Sequence, residues 1–495
     1  MLINLGEQEK AIQLLDEIKT INDAALYNSP ILRANKLSEE DLAQDKILND
    51  QIESLRTEYL NNSSASEKIN IKSQIDILSA RREDVLNKIR TDLPKSAISV
   101  WNIQRKLDND EIIIHYTEIG DKLYTSYITK QDIEIEIIDL NKELKTLFKE
   151  SADNLGSSTT DLNQLYSIYE KLNLENSIPD GISKLTVIPD NYLYRIPIEI
   201  LPKSVPGSST SYGSAVYLLE DYHFEYFSSL SELIENSRNT RSNALNDFSA
   251  FAISNFSNLG NKDLPSLPYA TQEVRNIDVS LTSISNKNIY LENDATKASF
   301  IQEASSSRIV HIATHSEISE LDPLFSTIYL NNPTRNNDNS APSTLYAYEL
   351  FNTRMNSDLI MLNSCSSGSG EFLQGSGIMG ISRALRYAGA KSLALNLWSV
   401  NDKVASEFAT EFYTSIDKGL SKTEAMRNAK LNLLKTGNAN PHYWGAYMLI
   451  GNPSSLIEKK PASAGFLYPF LIIVILVAGF SIRSNSTLKH PIQHY

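Results

Sequence analysis

Near the start of the chain apolar residues recur every three to four positions, separated by charged ones. In LGEQEKAIQLLDEI, Leu5, Ile12, Leu15 and Ile18 share one face, and the spacing predicts an amphipathic helix. From Asp45 to Ile89 the same rhythm runs through Ile47, Ile52, Leu55 and Leu60, then Ile71, Ile75, Leu78, Val85 and Ile89. The interruption at Asn61-Asn62-Ser63-Ser64 makes this a helical hairpin, and Pro94 closes the region. From Glu111 the rhythm shortens. EIIIHYTEI, LYTSYIT and IEIEIID are β-branched and aromatic runs separated by Gly120-Asp121 and Lys130-Gln131-Asp132, which predicts a three-stranded meander. A helical stretch from Asn141 to Leu172 follows, then short strands in KLTVIPD and FEYFSS, with a Ser-Gly loop at Gly207 to Gly213 between them.

The second half alternates strand and helix. FSAFAIS, NIYLE, RIVHIAT, STIYL, DLIMLNS and KSLALNLW are short apolar runs. Between them helical patterns fall at Tyr269–Val279, Thr296–Ala304, Gly377–Ala388 and Lys403–Ile416. Continuous apolar strands alternating with helices predict an α/β fold, a largely parallel sheet with helices on both faces. In such sheets chemistry gathers at the carboxyl ends of the strands.

One further run differs from all of these. Ala464 to Ile482, AGFLYPFLIIVILVAGFSI, carries no charge. At about 1.5 Å per helical residue it spans roughly 28 Å, close to the thickness of a bilayer core. The expectation is a single-pass C-terminal anchor flanked by Lys459-Lys460 and Arg483, with Tyr468 at an interface and the body cytoplasmic.

The carboxyl-end rule selects two residues. RIVHIAT runs into His315, and DLIMLNS runs into Cys365, followed by Ser366-Ser367-Gly368-Ser369-Gly370. An imidazole beside a thiol raises its thiolate fraction and can later protonate a leaving amine. Glycines after the thiol let a substrate backbone approach and leave amides free for an oxyanion. His311, inside the apolar strand, reads as a core histidine. Trp398, Tyr443 and Trp444 read as packing residues, and His442 precedes a strand, at the wrong edge for the pair. Asn363 and Ser364 read as satisfying local backbone groups, and Glu371 as solvated.

Composition narrows the classes. Cys365 is the one cysteine, which excludes an intrachain disulfide and a multi-cysteine metal site. The net charge of −14 and the lack of a basic cluster argue against a nucleic-acid partner. No cofactor is expected: the seven histidines are scattered, and no phosphate-binding loop of the G-x-x-x-x-G-K-[ST] kind occurs.

Four blocks, in order, carry a resemblance: VHIATHSE, LYAYELFNTRMNSDLIMLNSCSSGSGE, GIMGISRALRYAGAKSLALNLWSVND and PHYWGAYMLIGNP. Together they resemble the CHAT family of caspase-like peptidase domains, often attached to tetratricopeptide repeats. CSSG with AGAKSLALNLWSVND is also similar to separase. Weaker similarity runs through LTVIPDNYLYRIPIEIL and LPYATQEV, and the first helix resembles part of a tetratricopeptide repeat.

The resemblance implies a cysteine endopeptidase acting on a protein, with His315 as base and Cys365 as nucleophile. It implies an oxyanion hole from the backbone amides of Ser316 and Cys365; the family usually has glycine where this chain has Ser316. It further implies that Asp402, after the strand beside the nucleophile strand, receives a basic P1 side chain. The competing reading of Asp402 is a helix N-cap, shared with Asn401. Residues 1–92 are then a helical, repeat-like region where an activating protein partner docks, and 93–245 a β-rich, pseudo-protease-like part. Residues 246–455 form the caspase-like catalytic domain, 456–463 a linker, 464–482 the transmembrane helix and 483–495 a short tail. The alternative is an inactive caspase-like scaffold on the membrane; an acyltransferase has no supporting pocket in the sequence.

Overall fold

The computed structural model describes residues 7–21, 38–62, 64–92, 99–236, 242–256, 264–318, 325–331, 344–350, 353–363, 372–373, 377–378 and 381–457. Cys365 and the apolar run Ala464–Ile482 lie outside the described residues, as do Ser364 and Glu371. Among the described residues no helix is long and apolar enough to cross a membrane. Met1–Leu456 forms one compact unit.

The strands are β1 (Glu111–Ile119), β2 (Lys122–Thr129), β3 (Ile133–Asp139), β4 (Lys184–Ile188), β5 (His223–Tyr226), β6 (Asn246–Ala252), β7 (Lys287–Leu291) and β8 (Ser307–Ala313). They continue with β9 (Ser316–Glu317), β10 (Thr327–Tyr329), β11 (Thr344–Tyr346), β12 (Leu359–Leu362), β13 (Phe372–Leu373), β14 (Gly377–Ile378), β15 (Ser392–Asn396) and β16 (Tyr447–Gly451). Eleven of them make one sheet in the order β3-β2-β1-β4-β5-β16-β15-β12-β8-β6-β7. Neighbours are parallel except β3–β2, β2–β1 and β16–β15. The expected meander and the expected parallel sheet are therefore halves of one continuous layer, joined through β16. The fold is mixed α/β with a large, mostly parallel sheet.

Every residue of β8, β12, β15 and β16 is buried. That is why these strands read as unbroken apolar runs rather than as alternations. Helix Ala270–Ser280 follows β6, helix Lys297–Ser306 precedes β8, and helix Asp402–Asp417 follows β15. The order β7-β6-β8-β12-β15 reverses direction between β6 and β8, so the crevice at their carboxyl ends is where a ligand site is expected. One expectation fails. STIYL is not part of this layer: β10 lies in a separate antiparallel sheet, β11-β10-β9. Sequence also gave no separate notice of helix Lys422–Lys435.

The last described segment runs under the opposite edge, where β8, β12 and β15 begin. Asn452 N donates to Lys391 O at 3.0 Å and Lys422 N donates to Pro453 O at 3.0 Å. Arg308 Nη2 donates to Leu456 O at 2.8 Å.

The N-terminal helices form as the spacing predicts, with the hairpin breaking where expected between Glu39–Asn61 and Ala65–Asp92. Ile52 packs on Ile71 and Ile75, and Arg82 pairs with Asp45 at 2.7 Å. One end of the hairpin meets the small sheet. Tyr59 stacks on Phe325, with ring centroids 5.4 Å apart, and the Arg56 guanidinium lies 5.0 Å from the centre of the Tyr348 ring.

Candidate active site

The chain leaves β8 through Thr314 and reaches His315 two residues past the strand end. Two backbone-directed bonds to β10 hold this exit: Thr314 Oγ1 donates to Tyr329 O at 2.8 Å and Tyr329 N donates to His315 O at 3.0 Å. Ser316 then pairs with Ile328 in β9–β10. Among the described residues the positive-φ positions other than glycine are Ser158, Asn173, Asn191 and Glu292. Ser316 is thus in ordinary backbone, and a glycine is not required there for conformation.

The His315 side chain is nearly buried. Its ring lies 4.6 Å from that of Phe256, centroid to centroid, and Nε2 is 2.8 Å from Pro265 O. A carbonyl oxygen can only accept, so Nε2 carries the proton of this bond. In the neutral ring the basic nitrogen is then Nδ1. The backbone of Pro265 thus fixes the plane of the ring and leaves Nδ1 as its acceptor nitrogen.

β8 and β12 are hydrogen-bonded neighbours, in register from Leu359↔Ile309 to Leu362↔Ile312, and Asn363 N donates to Ile312 O at 2.9 Å. His315 follows Ile312 by three positions, and Cys365 follows Leu362 by three. The parallel register ends with equal remaining lengths of chain toward both residues.

Beside this edge lies a small pocket of about 30 Å³. It is lined by Leu267, Ala270, Glu273, Ala313, Thr314, Asn363, Asn396, Val400, Asp402 and Ala405. The cap of the helix after β15 is settled between Asn401 and Asp402. Asn401 is the N-cap of helix Asp402–Asp417, its Oδ1 accepting from Lys403 N at 3.0 Å. The Asp402 carboxylate is free of that task; Oδ2 instead accepts from Tyr269 N at 3.1 Å, across the pocket mouth.

Behind Asp402 runs a buried polar chain that sequence reasoning missed. Glu273 Oε1 accepts from His311 Nε2 at 2.8 Å and from Asn363 Nδ2 at 2.7 Å. Asn363 Oδ1 accepts from Asn396 Nδ2 at 3.1 Å. His311 is a core histidine, as expected. Asn363 is a correction: its side chain serves a distant carboxylate and another strand, not local backbone, because its strand-end position aims it into the pocket. The signal for Glu273 lay in LPYATQEV, a first-turn acid on a helix otherwise facing the core; Pro265, acting through its carbonyl, left none.

His442 and Trp398 are structural. His442 Nδ1 donates to Leu155 O at 2.6 Å, Trp398 Nε1 donates to His442 O at 2.7 Å, and burial lowers the His442 pKa. Trp444 packs edge-on against Tyr217. Among the described residues no group of three or more His, Cys, Asp or Glu side chains could hold a metal ion.

Comparison with known proteins adds the following. The family profile described as CHAT domain matches residues 159–452. Tetratricopeptide repeat protein 28 of Mus musculus is 29% identical over 123 residues, which are 23% of this chain and 5% of the relative; its Homo sapiens counterpart matches equally. The chain thus spans about a twentieth of the length of these curated relatives. Among solved structures, the Arg specific cysteine proteinase gingipain R is 13% identical with a TM-score of 0.39, over 62% of this chain and 71% of that one. Saccharomyces cerevisiae separase, in its complex with securin, is 11% identical with a TM-score of 0.44, over 91% of this chain and 41% of that one.

Proposed function

From the premise that this chain belongs to the CHAT domain family, we propose that it is a cysteine endopeptidase with His315 and Cys365 as its dyad. The observation that carries the reading is the parallel register of β8 and β12: His315 comes three positions after Ile312, and Cys365 three after its register partner Leu362. The Cys365 thiol gives its proton to His315 Nδ1, and sulfur attacks the scissile carbonyl carbon. The oxyanion is received by the amides of Ser316 and Cys365. The C–N bond breaks as His315 returns the proton to the leaving amine. Water then hydrolyses the thioester, releasing the acid and restoring the thiol. Asp402, at the pocket mouth, receives a basic P1 side chain by a charge-assisted contact.

Two attachments complete the reading. Ala464–Ile482 anchors the protein in a membrane with the body cytoplasmic. The helical region binds an activating protein partner, which reaches the site through aromatic rings. Tyr59 stacks on Phe325, and Phe325 meets Tyr346 and Tyr348 edge-on. Tyr346 belongs to β11, which pairs with β10, which in turn braces the His315 exit. A shift of the hairpin therefore has a contiguous packed route to the base.

One labelling experiment tests all of this. A peptide halomethyl ketone with P1 arginine is expected to alkylate Cys365 with loss of halide, adding the remaining peptidyl-methyl ketone mass to the Cys365 peptide at least about tenfold faster than the P1 aspartate version. The labelled full chain should sediment with membranes, and Tyr59→Ala should change the labelling rate. Absence of adduct in the presence of membranes and whole-cell extract overturns the peptidase. Faster labelling with aspartate overturns the basic pocket alone.

A further inference from the structure

We infer that Glu273 is a specificity-determining residue of this pocket, a second carboxylate at its base that recognises the cationic end of the P1 side chain. The inference rests on the peptidase reading above and adds a residue to it. Asp402 is half-buried at the mouth, whereas Glu273 is 2% exposed and lines the same cavity. Among the described residues only one Glu273 oxygen is used. Oε1 accepts both bonds, from His311 and Asn363, and Oε2 has no hydrogen-bond partner among the described residues.

The carboxylate is also short of positive charge. Its one basic neighbour within bonding distance among the described residues is the His311 imidazole, at 2.8 Å, which carries charge only when protonated. Burying a carboxylate is costly unless it is paired, so an incoming cation gains more here than at a solvated acid. The effect of its charge reaches its neighbours: after burial itself, Glu273 contributes to raising the Tyr413 and Tyr447 hydroxyl pKa values. A cavity of about 30 Å³ has room for a water molecule or two, or for the charged tip of a side chain. A guanidinium entering past Asp402 meets a second carboxylate lining the same cavity, and its several N–H donors can serve both.

Glu273 also ties helix Ala270–Ser280 to β8 and β12, so a purely structural role must be separated from recognition. Citrulline has the shape of arginine without its charge. With matched P1 arginine and P1 citrulline substrates, Glu273→Gln is expected to lower the arginine-to-citrulline ratio of kcat/KM at least about tenfold. The citrulline rate should fall much less than the arginine rate, and thermal unfolding should confirm a folded variant. A ratio that does not move overturns the inference. So does an equal fall of both rates, which marks Glu273 as positioning the strands only. Wild type that cleaves neither substrate removes the peptidase reading and this inference together. Wild type that cleaves both equally leaves the peptidase standing and removes recognition of charge.

Discussion

His315→Ala is expected to reduce peptide cleavage about a thousandfold while leaving the protein folded. The side chain has two attachments, the bond to Pro265 O and the face of Phe256, at the rim of the core rather than inside it. Their loss costs on the order of 1 kcal/mol. His311→Ala should behave in the opposite way. His311 is fully buried, and its removal leaves Glu273 with one donor fewer in the interior and a void under Tyr413. That loss is roughly 2–4 kcal/mol, visible as a lower unfolding temperature, with cleavage per folded molecule much less affected. The pair of variants separates base from support. If His311→Ala abolishes turnover in a stable protein and His315→Ala does not, the roles are exchanged and the proposed dyad is wrong. Cys365→Ala supplies the floor of the assay.

The second large effect concerns folding. Gly389 ends helix Ile381–Ala388 with φ +118°, and an added Cβ would stand 2.3 Å from Met355 O and 3.2 Å from Met355 C. Both are backbone atoms, held by the bond from Met355 N to Ala388 O at 2.6 Å, so no rotamer change relieves the contact. Gly389→Ala combines a disfavoured φ with this overlap, and we expect a loss of at least about 3 kcal/mol and little soluble protein. Gly437 is the control. It has φ +98° but nothing within 4 Å, so Gly437→Ala should cost only about 1 kcal/mol. Equal unfolding midpoints for the two variants would show that the segment at Met355 yields.

The strands that frame the site were legible because they are buried on both faces. RIVHIAT and DLIMLNS announce themselves as apolar runs, and the residues that follow them in the sequence, His315 and Cys365, are the proposed pair. STIYL looks the same in sequence, yet it pairs with β9 and β11, since three buried residues do not encode which edge they join. Asp402 was ambiguous for a local reason: Asn401 and Asp402 are both good caps, and the structure gives the cap to Asn401, while the bond from Tyr269 N to Asp402 comes from 133 positions away. The Glu273–Asn363 contact spans 90 positions, and nothing in the spacing of a lone first-turn glutamate points across that interval. Pairwise patterns within an element were readable, whereas polar bonds between elements were not.

The closing turn beneath Arg308 sets the direction in which the molecule is held. Leu456 is gripped where β8 starts, and parallel strands send their other ends the opposite way. Whatever pulls on the chain beyond this grip, whether bead, fusion partner or lipid, tugs at the floor of the sheet. The cleft opens at its ceiling, roughly 20 Å away along the seven residues of β8. A pull applied at Leu456 is therefore borne first by the bonds at the strand starts, on Arg308, Lys391 and Lys422, and not by the residues that line the cleft.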